Sequence, residues 1–267
     1  MTEKLDELIE AVQDGAKYRQ IHIPLVRQIA AQELNKERSW KETVKAVRNK
    51  LHQVGGAYQP QTIHYELLAE KLENLPKDLL SPEVQDFCRE TMLLHTSTRE
   101  RLPILEKFFE QSLAGFTPVN SLLDVACGLN PLAIAWMPLA QNVRFLACDI
   151  YMDQIEFLNA FFAHFGINGQ AFLCDLTSEI PQDTVEVALV LKTIPCLEQI
   201  DKHIGLRLLT ELQAQHLLVS FPAQSLSGKN KGMRDFYDQH FQQLIAEAGW
   251  QVQPYSFTTE EAYLIHK

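Results

Sequence analysis

The apolar positions of this chain change period once, and the change divides it. Before residue 114 they recur at helical spacing. Leu5, Leu8, Ile9 and Val12 predict a short amphipathic helix that Gly15 ends. Pro24 is read as the start of a second helix, which buries Val26, Ile29, Ala30 and Leu34. Ser39 and Glu42 fit a capping box, and the helix they open puts Trp40, Val44, Val47 and Leu51 on one stripe. Gly55-Gly56 stops it. Leu67, Leu68, Leu72 and Leu75 share the face of another helix, Ser81-Pro82-Glu83 opens one running through Leu94, and a last one buries Leu105, Phe108, Phe109 and Leu113. From residue 121, strand-like runs alternate with helical stretches: Leu122–Cys127, Val143–Ile150, Ala171–Leu176, Val185–Ile194 and Leu217–Phe221. Helices are expected over 131–137, 153–165, 198–213 and 233–248, with a final antiparallel hairpin over Val252–Phe257 and Ala262–Ile265. Alternation of this kind predicts an α/β fold, a mostly parallel sheet with helices on both faces, behind an all-helical N-terminal extension.

The run Leu122 to Ala126 holds an acid, Asp124, and is followed by Gly128 and Asn130-Pro131. In an open α/β sheet, ligands bind in the crevice beyond the carboxyl ends of such strands. A dinucleotide fingerprint needs three spaced glycines, and only Gly128 is present, which argues against an NAD-dependent oxidoreductase. What remains, D-x-A-x-G-x-N-P, resembles the first motif of S-adenosylmethionine-dependent methyltransferases. Asp149, at the end of the second strand, is placed to accept from both hydroxyls of an adenosine ribose. Asp175, at the end of the third, is placed to accept from an adenine amino group. A lining of acids suits a cationic sulphonium better than an anionic dinucleotide. Arg101, in the helix before the sheet, offers a bidentate partner for the carboxylate of the amino-acid tail.

The edge after the fourth strand, Leu191 to Glu198, faces the transferred methyl group. It lacks the N-P-P-Y or D-P-P-Y signature of amino-group methyltransferases. Pro195-Cys196 resembles the nucleophile motif of RNA cytosine-C5 enzymes, but no second cysteine accompanies it and Cys196 is read as a packing residue. A target that is already nucleophilic, such as guanine N7, needs no general base, only in-line positioning and desolvation.

Charge sharpens this picture. The chain of 267 residues carries a formal net charge of −10, which taken whole counts against a nucleic-acid partner. Residues 15–58, however, hold nine lysines and arginines against three acids. A basic segment on an acidic body suggests a local polyanion contact. Within it Lys41, Lys45, Arg48 and His52 form a stripe about 100° around the helix from the apolar one. After the fifth strand a loop rich in small residues carries Lys229 and Lys231, with Met233 following. Five cysteines without CxxC spacing argue against zinc or a disulfide framework, so no metal is expected. No apolar stretch is long and unbroken enough for a membrane span, and the acidic start lacks a signal-peptide layout. A cytoplasmic protein with reduced thiols is expected, with neither a membrane nor a DNA partner.

Together these segments resemble the aminoglycoside-resistance 16S rRNA methyltransferases that modify guanine N7 in the decoding site. The resemblance covers Lys17-Tyr18-Arg19, Lys50-Leu51-His52 with Gly56-Ala57-Tyr58, His95 through Leu102, Asp124 through Leu132, Leu191 through Glu198, Ser220 through Met233, and Glu261 through Ile265. It implies a Rossmann-like S-adenosylmethionine-dependent methyltransferase sheet over residues 114–267, a basic helical RNA-docking unit over 1–57, and a helical unit over 58–113 that contributes to the cofactor site. It further implies that His95, Arg101, Asp124, Ala126, Gly128, Asp149, Ile150, Asp175 and Leu176 hold S-adenosylmethionine and that Lys192 positions the target. Lys17, Arg19, Lys41, Lys45, Arg48, Lys229, Lys231 and Met233 are then expected to face RNA. The implied partner is the 30S subunit, met at the decoding-site helix of its 16S rRNA, with the target base flipped out. The loop departs from the family in having Ala223-Gln224 after Phe221-Pro222, where threonine and a basic residue are usual. Three competing readings keep parts of the same site: methylation of adenine N1 in that rRNA region, methylation of a small molecule, or a catalytically silent binding protein.

Overall fold

The computed structural model describes residues 2–223 and 232–267. Seven strands, β1 (Val119–Val125), β2 (Leu139–Asp149), β3 (Gly169–Leu173), β4 (Val185–Leu191), β5 (Ala214–Pro222), β6 (Gln251–Ser256) and β7 (Glu260–His266), form one sheet. Their order is β3-β2-β1-β4-β5-β7-β6. The first five pair in parallel, and β7 runs antiparallel to both β5 and β6. Strand order reverses between β1 and β4, and this switch point opens the crevice in which such sheets bind ligands.

Both faces of the sheet are covered, which is why its central strands read as apolar runs. Leu122 and Leu189 face a core shared with Phe108, Phe109, Phe157 and Phe161, while Leu123, Val125 and Val190 face one containing Leu208, Leu209 and Phe241. The helices supplying these cores include α4 (Tyr65–Glu73), α5 (Pro82–Met92), α7 (Leu105–Ser112) and α8 (Met152–Phe165), with the polar α6 (Thr96–Arg101) between α5 and α7. Beyond β4 come α9 (Ile194–Leu197), α10 (Ile204–Glu211) and α11 (Met233–Ile245). Among the described residues, no helix is long and apolar enough to cross a membrane.

The amino-terminal helices α1 (Thr2–Gln13), α2 (Ile23–Leu34) and α3 (Trp40–Leu51) enclose a third core of Leu8, Val12, Leu25, Ile29, Val47 and Leu51. That core also takes in Tyr151, from the turn between β2 and α8. The same turn is sewn on by backbone hydrogen bonds: His22 N donates to Ile150 O at 2.8 Å and Met152 N to Gln20 O at 2.8 Å. The basic helical segment therefore rests directly on the strand end that carries Asp149.

Several sequence expectations shift here. The third strand stops at Leu173, because the ladder with β2 ends at the Asp149–Leu173 pair and Asp175 turns the chain. The fourth stops at Leu191, because Lys192 takes a left-handed φ of 59° and Ile194 already begins α9. The stretch Asn130–Trp136 winds as a tight 3₁₀ helix. The capping box at Ser39 and Glu42 is present, yet Trp40 is 41% exposed at the start of α3, off the buried stripe.

Arg48 also leaves its expected role. Its guanidinium turns inward and donates to Ala11 O at 2.7 Å and Val12 O at 3.3 Å, satisfying carbonyls at the end of α1. Lys41 and Lys45 stay exposed. Arg48→Ala should lower stability by about 1–2 kcal/mol, whereas Lys41→Ala and Lys45→Ala should stay within about 0.5 kcal/mol of the unaltered protein. Urea midpoints measure this, and equal midpoints for all three would return Arg48 to the exposed stripe.

Glu33 organises the neighbouring cations. Its side chain is 1% exposed and meets Lys36 Nζ at 2.6 Å, Lys50 Nζ at 2.9 Å and the Arg38 guanidinium. Burial alone would raise its carboxyl, but Lys36 and Lys50 overcome that and hold it at about 2, below the usual 4.5. The unfolded chain binds this proton more readily, so the contribution of Glu33 is complete above pH 4.5 and is lost as pH falls from there toward 2. Denaturation midpoints at about pH 5 and about pH 3 should therefore differ less in Glu33→Gln than in the unaltered protein.

Candidate active site

At the carboxyl ends of β1, β2 and β4 lies a concave cleft lined by apolar groups and a few converging polar ones, the character of small-molecule and cofactor sites. Ala126, Asp149, Ile150, Asp175 and Leu176 line one part of it, and His95, Ser97, Lys192, Thr193 and Cys196 another. Of the nine residues expected to hold the cofactor, six line this cleft. Arg101, Asp124 and Gly128 lie behind it.

Asp149 ends β2 with its carboxylate clasped by backbone. Gly128 N donates to one oxygen at 2.8 Å and Ile150 N to the other at 2.7 Å. Burial raises its pKa, and those two amide donors work against the rise. The clasp ties the β1 turn to the end of β2, so the acid shapes the glycine turn besides facing the cleft. Gly128 itself has φ +52°, and a Cβ there would fall 2.7 Å from His95 Cε1. Glycine is required both by the left-handed backbone and by the closeness of that ring.

Asp175 is 2% exposed and uses only one oxygen internally. Its Oδ1 accepts from Thr177 N at 2.9 Å and from Thr177 Oγ1 at 2.7 Å. Its Oδ2 is buried without a partner among the described residues. A buried acceptor left unsatisfied costs free energy until a donor arrives. An adenine amino group entering beside Leu176 supplies such a donor, so the acid set at β2 and β3 fits an adenosine moiety.

Asp124 sits deeper, 1% exposed, and accepts from Asn130 Nδ2 at 2.7 Å. Burial pushes its carboxyl up to about 7, against the opposing pull of Asn130 and Arg101. Asn130 Oδ1 in turn accepts from Arg101 Nη1 at 2.9 Å. The rest of the Arg101 guanidinium is taken by Glu260 at the start of β7, with Nη2 at 2.6 Å and Nε at 3.1 Å. Arg101 thus has its bidentate carboxylate partner within the protein. With its side chain 1% exposed, it braces the cofactor turn from behind and does not line the cleft.

Lys192 belongs to the same network. Its Nζ is 2.8 Å from Glu100 Oε2 and 3.4 Å from Glu260 Oε2, and its side chain is 1% exposed. The expected target-positioning lysine is therefore a buried, doubly paired cation in the cleft wall. Glu260 is wholly buried. Burial alone would raise its pKa, but Arg101 and Lys192 outweigh that and lower it, keeping it ionised. The sequence shows Asn130 only as part of the first motif, without its link to Arg101, and Glu260 was missed although it immediately precedes the matching run at Glu261. A pair of acids opening a strand whose middle is apolar was the available signal.

Neither the imidazole nor the thiol that lines the cleft is a ready base. Burial drives the His95 imidazole down to about 3, with Arg101 and Lys192 adding to the effect, so it is neutral and weakly basic. It stacks on Tyr58 with ring centroids 5.9 Å apart. The Cys196 thiol is pushed up to about 11 by burial and makes 3.2 Å contacts with Tyr58 Oη and Lys192 O. A protonated thiol of this kind is a poor nucleophile, as its packing role requires. Burial also raises the Tyr58 hydroxyl. Among the described residues, no group of three His, Cys, Asp or Glu side chains converges as a metal site.

The residues expected to face RNA fall into three sets. Lys17, Arg19, Lys41 and Lys45 are exposed on the amino-terminal unit, and Arg48 is turned inward. Met233 is half-buried at the start of α11. Lys229 and Lys231 lie outside the described residues.

Comparison with known proteins agrees with this site. The family model described as ribosomal RNA methyltransferase (FmrO) matches residues 14–265. The 16S rRNA (guanine(1405)-N(7))-methyltransferase of Micromonospora rosea is 30% identical over 267 residues, covering 99% of this chain and 97% of its own. The crystal structure of the 16S rRNA methyltransferase RmtF in complex with S-adenosyl-L-homocysteine superposes with a TM-score of 0.86, at 28% identity, over 100% of this chain and 99% of that one. The 16S rRNA methylase RmtB superposes with a TM-score of 0.80, at 26% identity, covering 98% of each chain. A cleft of strand-end acids, a braced glycine turn and likeness along the whole chain converge: this protein belongs to the FmrO family of ribosomal RNA methyltransferases, which depend on S-adenosylmethionine.

Proposed function

We propose that the protein methylates N7 of guanine 1405 in 16S rRNA, the reaction named for its relatives, on the assembled 30S subunit. When bound, S-adenosylmethionine supplies an electrophilic methyl carbon. Asp149 accepts from the ribose hydroxyls, Asp175 Oδ2 from the adenine amino group, and Ala126, Ile150 and Leu176 enclose the nucleoside. Gly128 and His95 close the turn beneath it, while Asp124, Asn130, Arg101 and Glu260 hold that turn in place. Lys192, fixed by Glu100 and Glu260, forms the wall near the target.

Likeness along the whole chain to relatives named for this reaction supports the reading most directly, and the chemistry of the cleft agrees with it. The His95 imidazole is too weak a base, and the Cys196 thiol and Tyr58 hydroxyl stay protonated. A purine ring nitrogen with a free lone pair needs none of them, and catalysis reduces to positioning and exclusion of water. Exposed Lys17, Arg19, Lys41 and Lys45 on the unit sewn to Ile150 suit docking on the phosphates of a folded RNA. A methyl group and a positive charge on that guanine obstruct 4,6-disubstituted aminoglycosides.

Expression in a susceptible bacterium, followed by primer extension and nucleoside mass spectrometry on its 30S subunits, tests the proposal. A 7-methylguanine at position 1405, with resistance to that drug class, is expected. A mark on adenine alone, or none, would overturn it.

A further inference from the structure

A second cavity opens beside the cofactor cleft where the amino-terminal unit meets the sheet. Its lining differs in character from that of the cleft. Gln20, Gln59 and Gln61 contribute three amides, Lys17 one cation and Asp153 one carboxylate, around a floor that includes buried Tyr151. The side-chain Nε2 of Gln59 is buried without a hydrogen-bond partner among the described residues. As at Asp175, a buried donor without an acceptor signals a ligand atom still to come.

We propose that this cavity takes one unstacked nucleotide of the rRNA, distinct from the methylated guanine, with its base edge on the glutamine amides and its phosphate on Lys17. The inference rests on the reading that the protein acts on rRNA. Side-chain amides carry a donor and an acceptor together and pair with a base edge through two hydrogen bonds. Sequence-specific RNA recognition depends on bases splayed out of their helix in this way. Exposed Lys17 at the rim supplies the phosphate contact. Tyr151 lines both this cavity and the cofactor cleft, so the base would dock against the back of the cofactor wall.

The test is the double variant Gln59→Leu with Gln61→Ala in the full chain, compared with the unaltered protein. Losing two amide–base pairs should weaken 30S binding and raise the KM for 30S by about tenfold or more, with S-adenosylmethionine affinity unchanged. The unchanged cofactor affinity also reports that the variant is folded. A photo-crosslinking side chain at position 61 should stop primer extension at a nucleotide other than the methylated one. Unaltered 30S affinity with no such stop would overturn the proposal. So would a parallel fall in cofactor affinity, which would make the cavity part of the cofactor wall. If the unaltered protein transfers no methyl group to 30S, it is the rRNA reading that fails; normal transfer with an indifferent variant removes the second pocket alone.

Discussion

Asp149→Ala is expected to abolish S-adenosylmethionine binding and methyl transfer while leaving the chain folded. The carboxylate stands at the end of β2 in the cleft, where each ribose hydroxyl would donate one charge-assisted hydrogen bond. Two such bonds, at about 1.5–3 kcal/mol each, correspond to roughly 10²–10⁴-fold in cofactor affinity. The substitution also frees Gly128 N and Ile150 N, which now hold the glycine turn against β2 at 2.8 and 2.7 Å. Ile150 borders the cleft but Gly128 is buried behind it, so the cost to stability should be about 1–3 kcal/mol. Asp124→Asn provides the contrast. The Asp124 carboxyl already sits at about 7, half neutral under ordinary conditions, and makes its hydrogen bond to Asn130 with a single oxygen. An asparagine keeps that acceptor, and cofactor affinity should fall by less than about tenfold. Calorimetric titration with the cofactor and labelled methyl transfer to 30S measure both variants. Equal losses at the two positions would remove the ribose role from Asp149 and leave only a shared structural one.

What the sequence revealed and what it hid follow from the range of the interactions. The acid and glycine of the first turn were legible because each acts within a few residues: Asp124 interrupts an apolar run, and Gly128 adopts a positive φ. The parallel sheet was legible from alternation, and the terminal hairpin from two short apolar segments. Strand ends were not. The run Val185 to Ile194 was carried past Leu191 across Lys192 and Thr193 to reach Ile194, and the left-handed turn at Lys192 shows where pairing stops. The insertion of β7 between β5 and β6 likewise has no local signature. Arg101 was recognised as a carboxylate binder, but its partner lies 159 residues away, beyond any periodicity or spacing. Arg48 was misread for the same reason: its partners are carbonyls of α1, 36 and 37 positions earlier, and a helical wheel shows only which face a side chain leaves from.

That distant partner carries the largest expected effect on stability. Glu260→Ala should cost about 3–5 kcal/mol, because it strands the Arg101 guanidinium in the interior and takes from Lys192 one of its two carboxylates. Such a loss is a large share of the 5–15 kcal/mol that typically holds a domain together, so a sharp drop in the urea midpoint is expected. Stability loss alone cannot separate an ion pair kept for folding from one kept for function, but replacing both partners can. Arg101→Met with Glu260→Leu fills the same space without buried charge, and such swaps are often neutral or stabilising. The pair variant should therefore recover most of the midpoint. It should not recover methyl transfer, because Asn130 loses the donor that orients its amide toward Asp124, and Lys192 keeps only Glu100. Recovery of stability and activity together would reduce the network to a structural clamp. Recovery of stability alone makes these buried charges the device that holds the cofactor turn and the lysine wall in working geometry.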